Sequence, residues 1–110
     1  MLYIQAQRAF TANERKNLME DHPLAQFAPG FGLVEVGFNQ SAANLVIDVY
    51  AGTNLISQRL VPLVKATAPI YPDDYLVRFA VAPGEQIVLD ALEEDAATPT
   101  LLWSLRFTPA

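Results

Sequence analysis

One histidine and no cysteine restrict the nucleophilic chemistry open to this chain of 110 residues. Any serine-histidine-aspartate mechanism would pass through His22, which lies between Asp21 and Pro23 in a stretch that reads as an exposed loop. Neighbours in sequence do not make a triad, because a triad is a spatial constellation with an exposed nucleophile and oxyanion donors. Ser41, Ser57 and Ser104 lack the Gly-x-Ser-x-Gly context of a nucleophile elbow. Without cysteine there is no disulfide framework, thiol catalysis or thiolate metal site. Asp90, Glu93, Glu94 and Asp95 would offer hard oxygen ligands to calcium, but they lack the Asp-x-Asp-x-Asp-Gly spacing and read as a solvated acidic loop. Asp73 and Asp74 follow Tyr71-Pro72 and read as a turn, since Asp carboxylates bond nearby backbone amides.

Hydrolysis by paired carboxylates needs two carboxyls at a set separation across a cleft. Glu35 and Asp48 fall on the polar faces of two successive strand-like segments and are the pair closest to that requirement. Like charges directly opposite repel, so the two are expected to diverge into solvent. Gly30-Phe31-Gly32 is not followed by a helical pattern and makes no phosphate cradle. No catalytic residue is assigned, and no metal or cofactor is needed to explain folding.

The segments that must position these groups alternate with period two. Leu2, Ile4 and Ala6 share one side of a first strand. Thr11-Ala12-Asn13-Glu14 matches a capping box, and a short helix over about 13–20 is expected, with a charged loop as the alternative. Leu33–Phe38 alternates with Val34, Val36 and Phe38 inward. The polar stretch 39–44 then leads to Leu45–Tyr50, so the two segments read as a hairpin. Leu55–Val61 is limited by Pro62, and Thr67–Asp74 is a proline-punctuated crossover from one sheet to another. Tyr75, Val77, Phe79 and Val81 share a face. Pro83-Gly84-Glu85 is a tight turn before Gln86–Leu92, and Leu101, Trp103, Leu105 and Phe107 face inward together.

Strands at such spacings, linked by turns, predict a single all-β domain over 1–110. The expected form is an antiparallel β-sandwich of seven to eight strands, jelly-roll-like or another Greek key, with a closed barrel as the alternative. Twelve acidic against seven basic side chains give a formal charge of −5, which disfavours nucleic-acid binding. No apolar run is long enough for a membrane-spanning helix, and the first residues do not read as a signal peptide.

Hydrophobic residues make up 52% of the chain and charged ones 17%, an imbalance that leaves more apolar surface than a lone small domain carries comfortably. The surplus sits in the loops Pro23–Gly32 and Thr67–Asp74. Phe27, Phe31, Ile70, Tyr71 and Tyr75 are therefore the interface candidates; the competing reading has the aromatic residues plugging the ends of the sandwich.

From Asn44 onward the chain resembles small all-β virion proteins of bacterial viruses. The likeness lies in Leu45-Val46-Ile47-Asp48-Val49-Tyr50, the crossover Pro69-Ile70-Tyr71-Pro72-Asp73-Asp74, the hairpin Val81–Ile87, and Trp103-Ser104-Leu105-Arg106-Phe107. The resemblance implies a minor capsid or decoration protein in a virion, made in the host cytoplasm and not secreted. Such a protein associates with itself and with other capsid proteins; no residue role carries over, because the class has no fixed motif. The alternative is a ligand- or carbohydrate-binding module with Trp103 or the loop tyrosines as stacking platforms. An enzyme ranks third.

Overall fold

A computed structural model describes residues 2–22, 25–42, 45–71, 73–94 and 98–110. Among these residues nine strands form two sheets packed face to face. They are β1 (Leu2–Ala9), β2 (Arg15–Asn17), β3 (Gly32–Gln40), β4 (Leu45–Ala51), β5 (Asn54–Leu60), β6 (Leu63–Val64), β7 (Val77–Val81), β8 (Ile87–Glu93) and β9 (Thr100–Pro109). The first sheet has the order β1-β9-β3-β6, with β7 also pairing β3; the second has the order β2-β8-β4-β5. Pairing is antiparallel except for β6 on β3. The expected sandwich is present, and the two sheets are separate, so the barrel alternative falls.

Alternation explains the core. Val34, Val36 and Phe38 of β3 and Leu101, Trp103, Leu105 and Phe107 of β9 turn inward. They meet Ile47 and Val49 of β4 and Leu89 and Ala91 of β8. Each large apolar side chain so buried contributes about 1.5–3 kcal/mol, against the entropy of ordering the chain.

Four local expectations need correction. The segments Leu33–Phe38 and Leu45–Tyr50 are not a hairpin, because β3 lies in the first sheet between β9 and β7 while β4 lies in the second between β8 and β5. The same holds around Pro83: its turn is tight, with Glu85 N–H donating to Ala82 O at 3.1 Å and Gly84 at φ +79°, but it carries the chain from β7 to β8 across the two sheets. Among the described residues the one hairpin of consecutive strands within a sheet is β4–β5, closed over Gly52 at φ +61° and Thr53. Third, the helix over 13–20 is replaced by β2 and a single 3₁₀ turn, Leu18–Asp21. The capping-box contact still forms, with Thr11 N–H donating to Glu14 Oε1 at 3.0 Å, but Asn13 sits at φ +58° and turns the chain away from helix. Burying Leu18 and Met19 against β8 then outweighs a weak local helix preference.

Fourth, Thr67–Asp74 does not change sheets: β6 before it and β7 after it both pair with β3, and the step from the second sheet to the first falls between β5 and β6, around Pro62. Residues 65–71 and 73–76 lie as a strap over the outer face of the first sheet, and Gly37 in the middle of β3 is its seat. A Cβ there would meet Pro69 Cβ at 2.7 Å and Tyr75 Cδ1 at 2.9 Å.

Candidate functional site

Cross-strand register sets the polar groups under the strap. Glu35 of β3 lies opposite Arg78 of β7 on one side and Arg106 of β9 on the other, all on the outer face of the sheet. Solvent exposure was expected for Glu35, yet it is buried at 4%, because the strap covers it. Arg78 Nε lies 3.1 Å from Glu35 Oε2, and the Tyr71 hydroxyl donates to Glu35 Oε1 at 3.3 Å. The Arg106 guanidinium rests 4.2 Å above the Tyr71 ring, a cation-π contact that holds the ring in place. Tyr71 and Tyr75 meet edge to face at 5.0 Å.

The strap itself is pinned by Asp74, buried at 1%. Its Oδ1 pairs with Lys65 Nζ at 2.7 Å, and its Oδ2 accepts from Ile70 N–H at 3.0 Å. The Lys65 bond, followed by the Ile70 amide, holds the Asp74 carboxyl below its ordinary range. Asp74 therefore does bond a nearby amide, as a turn aspartate should. Asn39 adds a bond to Thr67 O at 2.9 Å, and Gln40, fully buried, reaches Pro62 O at 3.0 Å and accepts from Leu45 N–H at 3.0 Å. These buried amides fix both ends of the β3 connection and the start of the strap.

Beside the strap lies an open depression of about 520 Å³, bounded by Phe31, Leu33, Tyr71, Ala80, Arg106 and Thr108 among others. Its walls are largely apolar. Its charged lining side chains are Glu35 and Arg106, and Glu35 is already paired with Arg78. Arg106 Nε is shielded from solvent and makes no hydrogen bond among the described residues.

The interface candidates separate in the structure. Phe31 (67% exposed) and Tyr71 (43%) come together at this depression, and Ile70 (60%) stands on the strap beside Tyr71. Phe27 is exposed too, but bridges Gln86 at the foot of β8 and does not line the depression. Tyr75 departs from expectation. It is buried at 5%, and its ring lies over Gly37 on the outer face, out of phase with Val77, Phe79 and Val81. Burial pushes its phenol up to about 12, with the Ser104 hydroxyl acting the other way. Sequence reasoning did not find Leu33, Arg78 or Arg106. Gly37 was the available signal, because an isolated glycine inside a strand marks close approach of another chain segment.

The remaining candidates do not converge. His22 packs edge to face on Trp103 at 5.3 Å, and Trp103 is buried at 2%, so it cannot serve as an exposed stacking platform. Glu35 and Asp48 lie in different sheets. Asp48 faces Asp90 instead, with Arg59 N–H donating to Asp48 Oδ1 at 2.8 Å and Arg15 Nη1 2.9 Å from Asp90 Oδ2. Glu94 pairs with Arg59 at 2.8 Å, and Glu93 is buried, accepting from Asn13 N–H at 2.7 Å. The acidic run is thus divided among separate partners. Pro23, Leu24, Ala43, Asn44, Pro72 and Asp95 lie outside the described residues. Among the described residues no group of three metal-ligating side chains gathers, and no helix is long and apolar enough to cross a membrane. Comparison with protein-family models, curated proteins and solved structures finds no match to this chain.

Proposed function

We propose that this protein is a non-enzymatic assembly component, a minor capsid or decoration protein of a virion that associates with itself and packs on neighbouring shell proteins. The single observation that carries the assembly reading is the exposed apolar set Phe31, Leu33 and Tyr71 at one depression, with Ile70 beside Tyr71 on a strap pinned at Asp74. Exposed apolar surface on a rigid support is what a partner surface requires. The virion setting rests on the resemblance of 44–110 to small phage shell proteins. Light scattering over the micromolar range tests the assembly. An apparent mass that rises above 12.1 kDa with concentration is expected, reduced in a Phe31→Ser/Ile70→Ser variant; a mass fixed at that of the single chain overturns it.

The depression supports one further reading, a ligand-binding module. Its apolar walls and the Arg106 guanidinium suit a small apolar molecule bearing a carboxylate. Sugar stacking has less support, because Trp103 is in the core and one face of Tyr71 is covered by Arg106. Loss of binding of a hydrophobic carboxylate such as benzoate or decanoate on Arg106→Gln would favour this module, and absence of any binding removes it.

A further inference from the structure

The outer strands of the two sheets differ in how well they are guarded against pairing with another chain. In the second sheet β2 is three residues long and carries Arg15 and Lys16, while β5 shifts register against β4 and has Arg59 at φ +52°. At one side of the first sheet β6 has two residues and follows Pro62, and β7 has five and carries Arg78. Short length, bulges, charge and proline are the devices that blunt a sheet edge. Strand β1 has none of these along its first six residues. It is eight residues long and pairs with β9 without a break from Leu2↔Phe107 to Ala9↔Thr100. Among the described residues its other side is unpaired. Its one charge, Arg8, is already engaged by Glu14 and Asp21.

We infer that β1 is a pairing edge for a second copy of this chain, joined antiparallel about a two-fold axis through Gln5. The side chains select that occupant. An antiparallel partner keeps each face of the sheet continuous only when odd positions meet odd and even meet even. Centring on Gln5 sets Tyr3 opposite Gln7 on the outer face, where Tyr3, Gln5 and Gln7 are all exposed. It sets Ile4 opposite Ala6 on the inner face, where both are only partly buried and a neighbour would complete the cover. Residues 1–10 contain no acid, so two copies of a −5 chain meet along a stretch without like-charge repulsion. The two first sheets would merge into one continuous sheet with an isologous contact. This goes beyond the assembly reading above and does not rest on the strap face.

The absence of cysteine makes the test specific, because each introduced thiol is the only one in the chain. Residues directly opposed in an antiparallel pair have Cβ atoms about 4.5–5.5 Å apart, near the span of a disulfide. Under mild oxidation Gln5→Cys is expected to give a covalent dimer on its own. Tyr3→Cys and Gln7→Cys should cross-link mainly when mixed with each other. All three positions are exposed, and circular dichroism confirms that each variant folds. Equal cross-linking of all three alone would mark random collision, and no cross-linking at Gln5 would mark no pairing; either overturns the inference. In the cysteine-free chain, Gln5→Lys sets two cations opposite each other and is expected to weaken dimerisation about tenfold. If the chain self-associates but Gln5→Lys leaves the association unchanged, the β1 contact is overturned while the assembly reading stands.

Discussion

Pro69 rests on the bare backbone of Gly37, so close that a methyl group at Gly37 would overlap the proline ring at 2.7 Å. The strap lies flat on the sheet because this one position of β3 has no side chain, and everything exposed beside it depends on that seat. Gly37→Ala is expected to lift the strap and cost about 1–3 kcal/mol, the range for overpacking. Chemical denaturation checks the cost, and faster proteolysis within 65–76 checks that the strap is what moves.

The Asp74 latch gives the strap a dependence on acid. Its carboxyl is held below the ordinary aspartate range, chiefly by Lys65, so the folded state favours the charged form. That contribution is fully present above the unfolded value of 3.8 and is lost as pH falls through the lower folded value. Asp74→Ala is expected to destabilise the chain by about 1–3 kcal/mol at neutral pH, since buried partners lose their acceptor. The gap between variant and wild type should close at the acid end. Denaturation midpoints of both proteins across the acid range measure it.

Tyr75 responds at the other end of the scale. Burial raises its phenol from 10.0 to about 12, so the unfolded chain loses this proton first and the folded state loses stability as pH rises between those values. Its hydroxyl makes no hydrogen bond of good geometry, so Tyr75→Phe should be neutral or slightly stabilising near pH 7. In alkali the variant should fall off less steeply than wild type. Thermal melts of the pair from neutral to alkaline pH decide this.

Most of the fold was legible in the sequence because alternation is a local signal. Period two alone assigns Val34, Val36 and Phe38, and likewise Leu101, Trp103, Leu105 and Phe107, to the core. Which strands pair is not local: the stretch 39–44 is short enough for a hairpin, yet β3 is better covered by β9, with which it pairs from Gly32 to Gln40. Burial of Glu35 was illegible for a related reason, since the segment that covers it lies more than thirty residues away, at Tyr71. Of the site, the apolar residues Phe31, Ile70 and Tyr71 were found by composition, because prolines and glycines mark their loops. Arg78 and Arg106 were not, because an outward arginine on a strand ordinarily faces water and only register brings these two to one carboxylate.

Replacing exposed apolar residues on the strap face separates assembly from stability. Phe31 and Ile70 are more than half exposed, so Phe31→Ser/Ile70→Ser should change stability by less than about 0.5 kcal/mol, as surface substitutions do, while reducing self-association. An unchanged melting temperature together with a lower scattering mass would bear this out.

Amide hydrogen exchange at low and at high micromolar concentration tests the assembly surface most directly. Concentration should slow exchange in 31–35 and 69–76, around Phe31, Leu33 and Tyr71, with Leu55 and Ile56 of β5 unaffected. Identical exchange at both concentrations over the strap face would contradict its role as a partner surface.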